Sequence, residues 1–353
     1  ARFRLGPTNN VWLTGADYSR IKDRGHMNTD LGIPPVDLVN NPVFPTPYTD
    51  PTPATAASFF SFNDYVSSYT TKGIYTQLQS TIYDRLHILA GVRLANINID
   101  YLENLPGVFA PTQFGSDTTK ALPRVGAVLD LVPGLSVYGN YSEGMLASPF
   151  TQALNTNVQP ETSKQVEGGF KFNFNDQLTG TVAVFDIQRQ NVPVVIGVGI
   201  GALSAQESKG YEADLIWQPT RNWKVMASYG HTDVRYSDSN AGTPQGNRVP
   251  GVPEDSGRLW VNYTFDWPAL RGWSAGAGVY VASSQYVDNF NLYKTPGYFT
   301  VDAKIGYETE HWRASFNVKN LTGEKYFVPF LWFGGQVARG DGRAFYGTLS
   351  YRY

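Results

Sequence analysis

The chain has 353 residues, with 28 Lys and Arg against 30 Asp and Glu, so its net charge of −2 offers no basic field for nucleic acid. Charged residues are sparse at 16 % while aromatics reach 14 %, and no run approaches the roughly 18 consecutive apolar residues of a membrane helix. The absence of cysteine excludes disulfide frameworks, thiolate metal sites and cysteine nucleophiles together.

Strand signals begin near Val11 and continue to the C-terminus. A long Pro-, Asn- and Asp-rich connection spans about Ile21 to Ser68, after which "LHILAGVRL" alternates, with His87 and Arg93 on its polar face. "LTGTVAVFDIQR" alternates less cleanly, because Leu178, Val182 and Asp186 share a face. "YEADLIW" and "NWKVMASYG" return to period two. In "RLWVNYTF", Leu259, Val261, Tyr263 and Phe265 oppose Arg258, Trp260, Asn262 and Thr264. In "YFTVDAKIGY", Phe299, Val301, Ala303, Ile305 and Tyr307 oppose Thr300, Asp302, Lys304 and Gly306. "HWRASFNVKN" sets Trp312, Ala314, Phe316 and Val318 against Arg313, Ser315, Asn317 and Lys319. No helical period competes.

Short turns at Tyr83, Val132, Asn173, Gln218, Asp266 and Glu308 alternate with longer loops near 103–118, 144–159, 190–206, 236–251, 285–296 and 321–342. Roughly fourteen strands, short turns on one side and long loops on the other predict an all-β, transmembrane antiparallel β-barrel. The spans are longer than the roughly 5–6 residues of a soluble strand, and Trp217, Trp223, Trp267, Trp273, Trp312, Tyr351 and Tyr353 cluster at strand ends as an interfacial girdle would. A spanning sheet must close on itself, because hydrocarbon leaves no partner for an unpaired amide. Alternation then assigns Arg93, Glu212, Asp214, Arg258, Asp302, Lys304, Arg313, Lys319 and Arg352 to the lumen.

"NVKNLTGEKYF", at Asn317 to Phe327, resembles the Asn-Leu-x-x-x-x-Tyr element before the last loop of TonB-dependent outer-membrane receptors, with Asn320, Leu321 and Tyr326 matching. Gly73 to Leu94, Pro123 to Met145, Pro160 to Phe172 and Ser208 to Asp233 resemble successive hairpins of the same family, in the same order. "GRAFYGTLSYRY" resembles its closing strand, whose aromatic end the barrel-assembly machinery reads; members usually end in Phe, and Tyr351 and Tyr353 stand here. The hairpin order is most similar to siderophore receptors, including those for ferric hydroxamates and pyoverdines.

The resemblance implies that residues 1–353 are the C-terminal part of a barrel of about 22 strands, without plug domain or TonB box, beginning abruptly at "ARFRLGPTNN". It implies an outer-membrane receptor of a Gram-negative bacterium that takes up a ferric siderophore, energised by the TonB-ExbB-ExbD system through the missing plug. The partners expected are that chelate, the assembly machinery and outer-membrane lipid. Iron would arrive already chelated, so no cofactor and no protein-bound metal are expected.

Exposed aromatics in polar loops suit capture of a bulky chelate. The candidates are Phe330, Trp332 and Phe333 in "FVPFLWFGGQ", and Tyr48, Phe59 and Phe60 (with Phe44 and Phe62) in the first long loop. The bland alternative is that these rings pack the loops against one another. His26, His87, His231 and His311 show no metal-ligand spacing, and no Gly-x-Ser-x-Gly element points to a hydrolase. A self-contained passive channel is the alternative function, with an outer-membrane enzyme or adhesin behind it.

Overall fold

The computed structural model describes residues 1–28, 62–104, 112–147, 159–197, 200–239, 242–331 and 335–353. The strands are β1 (Arg2–Leu5), β2 (Thr8–Asn28), β3 (Phe62–Ile82), β4 (Leu86–Asn104), β5 (Thr112–Val132), β6 (Leu135–Leu146), β7 (Glu161–Phe174), β8 (Leu178–Gly197), β9 (Ile200–Trp217) and β10 (Trp223–Tyr236). They continue as β11 (Asp255–Thr264), β12 (Trp273–Ala282), β13 (Gln285–Tyr286), β14 (Lys294–Thr295), β15 (Tyr298–Glu308), β16 (Trp312–Lys319), β17 (Phe327–Phe330), β18 (Gln336–Arg339) and β19 (Ala344–Tyr351). Fifteen form one antiparallel sheet in strict chain order, β1 through β12 and then β15, β16 and β19. The pairs β13–β14 and β17–β18 are small hairpins within the long connections. Among the described residues no helix is long and apolar enough to cross a membrane.

Turn chemistry fixes the register at the short-turn end. Tyr83 and Asp84 both have positive φ (51° and 55°), as do Asn175 and Asp176 (54° and 55°). Two such residues in succession make the turn whose twist matches the flanking strands. From there the pairing runs unbroken, Ile82↔Leu86 to Asp64↔Asn104 on β3–β4. A one-residue slip would exchange the two faces of the sheet, so the turns decide which side chains point where.

One face is apolar along a band of constant height. On β8 the outward positions Leu178, Gly180, Val182 and Val184 end at Asp186. That rise of eight residues, at about 3.3 Å each and tilted about 40°, is roughly 20 Å, near the apolar height of a membrane barrel. Phe299 to Tyr307, Trp312 to Val318 and Phe345 to Tyr351 give the same band on β15, β16 and β19. Val184, Phe299, Phe316, Phe345 and Leu349 are exposed there, an apolar surface far larger than a water-facing sheet tolerates. The less regular "LTGTVAVFDIQR" is explained by the same band: Asp186 stands at its upper edge, 3.6 Å from Lys209.

Aromatic rings close the band at the short-turn end. Trp223, Tyr263, Phe265 and Trp267 follow one another at 4.8, 5.1 and 5.7 Å, Trp273 meets Tyr307 at 5.0 Å, and Trp312 meets Tyr351 at 4.8 Å. The opposite face carries the residues assigned to the lumen, and there Trp260 lies across β12. A Cβ on Gly278 would come within 2.5 Å of that indole, so only glycine fits.

The loop boundaries differ from the sequence reading. β8 runs to Gly197 and β9 starts at Ile200, so most of 190–206 is paired strand. The register shifts between Arg189 and Val192, where Asn191 has a φ of 57°; this bulge inverts the alternation halfway up the strand. The fully buried apolar cluster is small and sits at the long-loop end, where Ile97 and Ile99 pack with Tyr69, Phe114, Met145 and Ala147.

Candidate functional site at the long-loop end

The family-like motif is a structural knot. As β16 ends, the Asn320 amide donates to Asp302 Oδ1 at 2.8 Å. Its side-chain oxygen accepts from the Glu324 amide at 2.8 Å, and Nδ2 donates to the Glu324 and Asp341 carbonyls at 2.9 and 3.1 Å. Asn320 is buried with a φ of 47°, a conformation Asn adopts more readily than most residues. The Leu321 amide then donates to the Val301 carbonyl at 2.6 Å, while the Leu321 side chain stays exposed. Tyr326 closes the turn by stacking on Tyr298 at 4.1 Å, and Gly340 lies so close to its ring that a Cβ there would clash. Asn320 and Tyr326 thus hold the two ends of one bend.

Above this knot, three connections form one hydrogen-bonded body. Tyr236 donates to Asn289 Oδ1 at 2.8 Å, and Asn247 donates to the Asn289 carbonyl at 3.0 Å. The Arg248 amide donates to Asn291 Oδ1 at 2.8 Å, and Asn291 Nδ2 returns to the Arg248 carbonyl at 2.9 Å. The Gly251 and Gly335 amides donate to the Tyr286 and Val287 carbonyls at 3.0 and 3.3 Å, tying the last connection to the other two. The Asp288 carboxylate accepts the amides of Phe290, Leu292 and Tyr293 at 2.9, 3.2 and 3.0 Å. That cradle of amides presents the Phe290, Leu292 and Tyr293 side chains outward, and all three are exposed.

Of the residues singled out in the sequence, Phe330 ends β17 opposite Gln336 and is exposed. Trp332, Phe333, Phe44, Tyr48, Phe59 and Phe60 lie outside the described residues, as does the side chain of Phe62. Tyr351 and Tyr353 are at the opposite end of the sheet; Tyr351 packs on Trp312, and Tyr353 is fully exposed. Sequence reasoning picked out the 285–296 connection but none of Phe290, Leu292 and Tyr293. The available signal was "NFNLYK", three large apolar side chains set among Asn and Lys.

The inner wall is polar and cross-linked. Arg93 pairs with Asp17 and Arg189 with Glu161, each at 2.7 Å, and Tyr138 donates to Glu167 at 2.7 Å. At the short-turn rim a hydrogen-bonded string crosses four strands, Thr81 to His87 (3.1 Å), His87 to Asp130 (3.2 Å) and Ser136 to Asp130 (2.6 Å). Among the described residues no group of three His, Cys, Asp or Glu could hold a metal ion. The wall is built to face water or a polar filling, and the loop body offers aromatic surface above it.

An open-ended, chain-ordered antiparallel sheet with one lipid-like face and one polar face defines the wall of a large β-barrel. The chain belongs to the family described as TonB dependent receptor-like, beta-barrel, whose pattern matches residues 1–321. It is 25 % identical to the ferrioxamine B receptor of Salmonella typhimurium over 99 % of this chain and 48 % of that protein. It is 26 % identical to the ferric-pyoverdine 358 receptor of Pseudomonas putida over 92 % of this chain and 39 % of that protein. Its fold superposes with a TM-score of 0.78 on the siderophore receptor PiuA from Acinetobacter baumannii, covering all of this chain and 54 % of that one at 20 % identity. The chain therefore spans about half the length of the relatives it matches.

Proposed function

We propose that the protein carrying this chain is an outer-membrane receptor of a Gram-negative bacterium that takes up a ferric siderophore with energy delivered through TonB. The observation that carries the reading is the family match over residues 1–321, joined to relatives named for ferrioxamine B and ferric pyoverdine. Residues 1–353 then form the C-terminal part of a barrel of about 22 strands. A plug domain elsewhere in the protein occupies the polar lumen and engages TonB-ExbB-ExbD.

The chelate docks at the long-loop end on Phe330, Trp332 and Phe333, with Tyr48, Phe59 and Phe60 from the first long loop and Phe290, Leu292 and Tyr293 from the rigid body. Apolar rings remove the chelate's organic shell from water, and a preformed platform lowers the ordering entropy of binding. The iron keeps its siderophore ligands, so the protein supplies none and acts as a transporter, not an enzyme. Tyr351 and Tyr353 present the closing strand to the barrel-assembly machinery, and lipid meets the outward band.

The test uses the full-length receptor with a panel of ferric hydroxamates, pyoverdines, catecholates and citrate, measuring equilibrium binding and uptake by iron-starved cells. Binding of one class, weakened at least about tenfold when residues 327–337 are replaced by a Gly-Ser linker, is the expected result. Equal binding by the linker variant would show that these loops do not form the site.

A further inference from the structure

The inner wall from β2 to β9 sets carboxylates beside its cations. Arg93 pairs with Asp17 and Arg189 with Glu161, and Glu167, Glu212 and Asp214 stand on the same wall. One stretch differs. The inner face of β11, β12, β15, β16 and β19 carries Arg258, Lys304, Arg313 and Lys319 against two carboxylates, Asp302 and Glu308. Both carboxylates are engaged: Asp302 accepts the Asn320 amide, and Glu308 binds Arg313 at the short-turn rim. Arg258, Lys304 and Lys319 are left without an ion-pair or hydrogen-bond partner among the described residues. Two of them lie over rings instead, Arg258 over Tyr280 and Lys319 over Tyr346, each 5.5 Å from the ring centroid. Arg258, Lys319 and Tyr346 are exposed. Beside them the wall is flat. Ser274, Gly276 and Gly278 give β12 little inward bulk, and the Trp260 indole lies so close across it that a Cβ on either glycine would come within 2.9 Å of the ring. Rings also lead down to this stretch from the knot, where Tyr326 stacks on Tyr298 at 4.1 Å and Tyr298 meets Tyr280 at 6.0 Å.

We propose that this stretch of inner wall is a second binding surface, below the loops, for a ferric chelate of net negative charge, an inference that rests on the receptor reading. Arg258, Lys304 and Lys319 supply the charge contacts, and Trp260, Tyr280 and Tyr346 supply flat ring surface. From β11 to β16 is three strand spacings, about 14 Å at about 4.8 Å each, a width that long side chains narrow from both sides around one bulky chelate. A cation without a carboxylate partner keeps its full attraction for an incoming anion, which a paired one such as Arg93 has already satisfied. A space walled by protein focuses the field of such charges and raises the local concentration of the opposite sign. Ferric tris-catecholates and ferric citrate are anions, whereas a ferric trihydroxamate is neutral, so the wall selects by charge among chelates that the loops hold by shape and apolar area.

Iron uptake by iron-starved cells expressing the full-length receptor tests the surface, with a ferric tris-catecholate, ferric citrate and a neutral ferric trihydroxamate as probes. The wild type should take up an anionic chelate, the catecholate and citrate arms telling which, in preference to the trihydroxamate. The Arg258→Gln, Lys304→Gln, Lys319→Gln variant should lose that uptake by about tenfold, at about two- to fivefold per neutralised charge. Equilibrium binding of the same chelate, set by the loops, should stay within about twofold of wild type and so report a folded receptor. Arg258→Lys with Lys319→Arg keeps the charges and should transport like wild type. Wild-type uptake by the triple variant overturns the proposal, as does a wild type that takes up the neutral chelate as readily as either anion. Loss of binding together with uptake, or a charge-keeping variant as impaired as the triple one, assigns these residues to assembly and overturns it too. The two levels of failure separate cleanly. A wild type that neither binds nor takes up any ferric chelate defeats the receptor reading itself, whereas uptake that ignores the three cations defeats this surface alone.

Discussion

Asn320 shows how one side chain can be required by geometry rather than by contact with a ligand. It is buried, left-handed in backbone, and bonded through its amide, its side-chain oxygen and its side-chain nitrogen to three other residues. Asn320→Ala strands those buried partners and should destabilise the last connection by about 2–3 kcal/mol. Limited proteolysis of the folded receptor should then cut within 321–343 while the barrel stays intact, and Asn320→Gly, free of backbone strain, should be cut somewhat more slowly. Resistance equal to wild type in both variants would contradict the knot.

Strands were the most legible elements, because one physical rule governs all of them. Period two placed Arg258, Asp302, Lys304, Arg313 and Lys319 on one face and their apolar neighbours on the other, as the register has them. The reading failed where the rule is interrupted. The bulge at Asn191 inverts the alternation, and Pro193 with the glycines of "VPVVIGVGIGAL" hid the paired ends of β8 and β9. Strand ends above the apolar band resemble loop in sequence, since both of their faces are polar; β3, for example, already starts at Phe62. Neighbouring residues on β15 should respond oppositely to charge. Ala303→Arg puts a cation on the outward face near mid-band and should cost about 2–4 kcal/mol in refolding into bilayers, while Lys304→Ala should be nearly neutral. Equal effects at the two positions would mean that the faces are misassigned.

At the scale of the molecule, the sheet has two ends, β1 and β19, each with a single neighbour among the described residues. Such edges are stable in hydrocarbon only when paired, so the wall calls for further strands beside it. The loop body was the least legible part. Its bonds join residues up to 53 positions apart, as from Tyr236 to Asn289, and no local pattern announces them. The aromatic platform at Phe290, Leu292 and Tyr293 depends on Asp288 gathering their amides, an arrangement that no spacing of the apolar residues encodes.

The central claim is that this chain is a membrane-spanning wall with lipid on one face and a polar interior on the other. This chain has no cysteine, so single cysteines introduced at each position from Tyr298 to Glu308 of the full-length receptor report their own surroundings. Labelled with an environment-sensitive fluorophore in reconstituted bilayers, Phe299, Val301, Ala303, Ile305 and Tyr307 positions should emit as in lipid, quenchable by lipid-borne nitroxides. The Thr300, Asp302, Lys304 and Gly306 positions between them should emit as in a polar setting and resist that quencher. Uniform emission along the strand, or water-like emission at every position, would contradict the membrane barrel and the transport function built upon it.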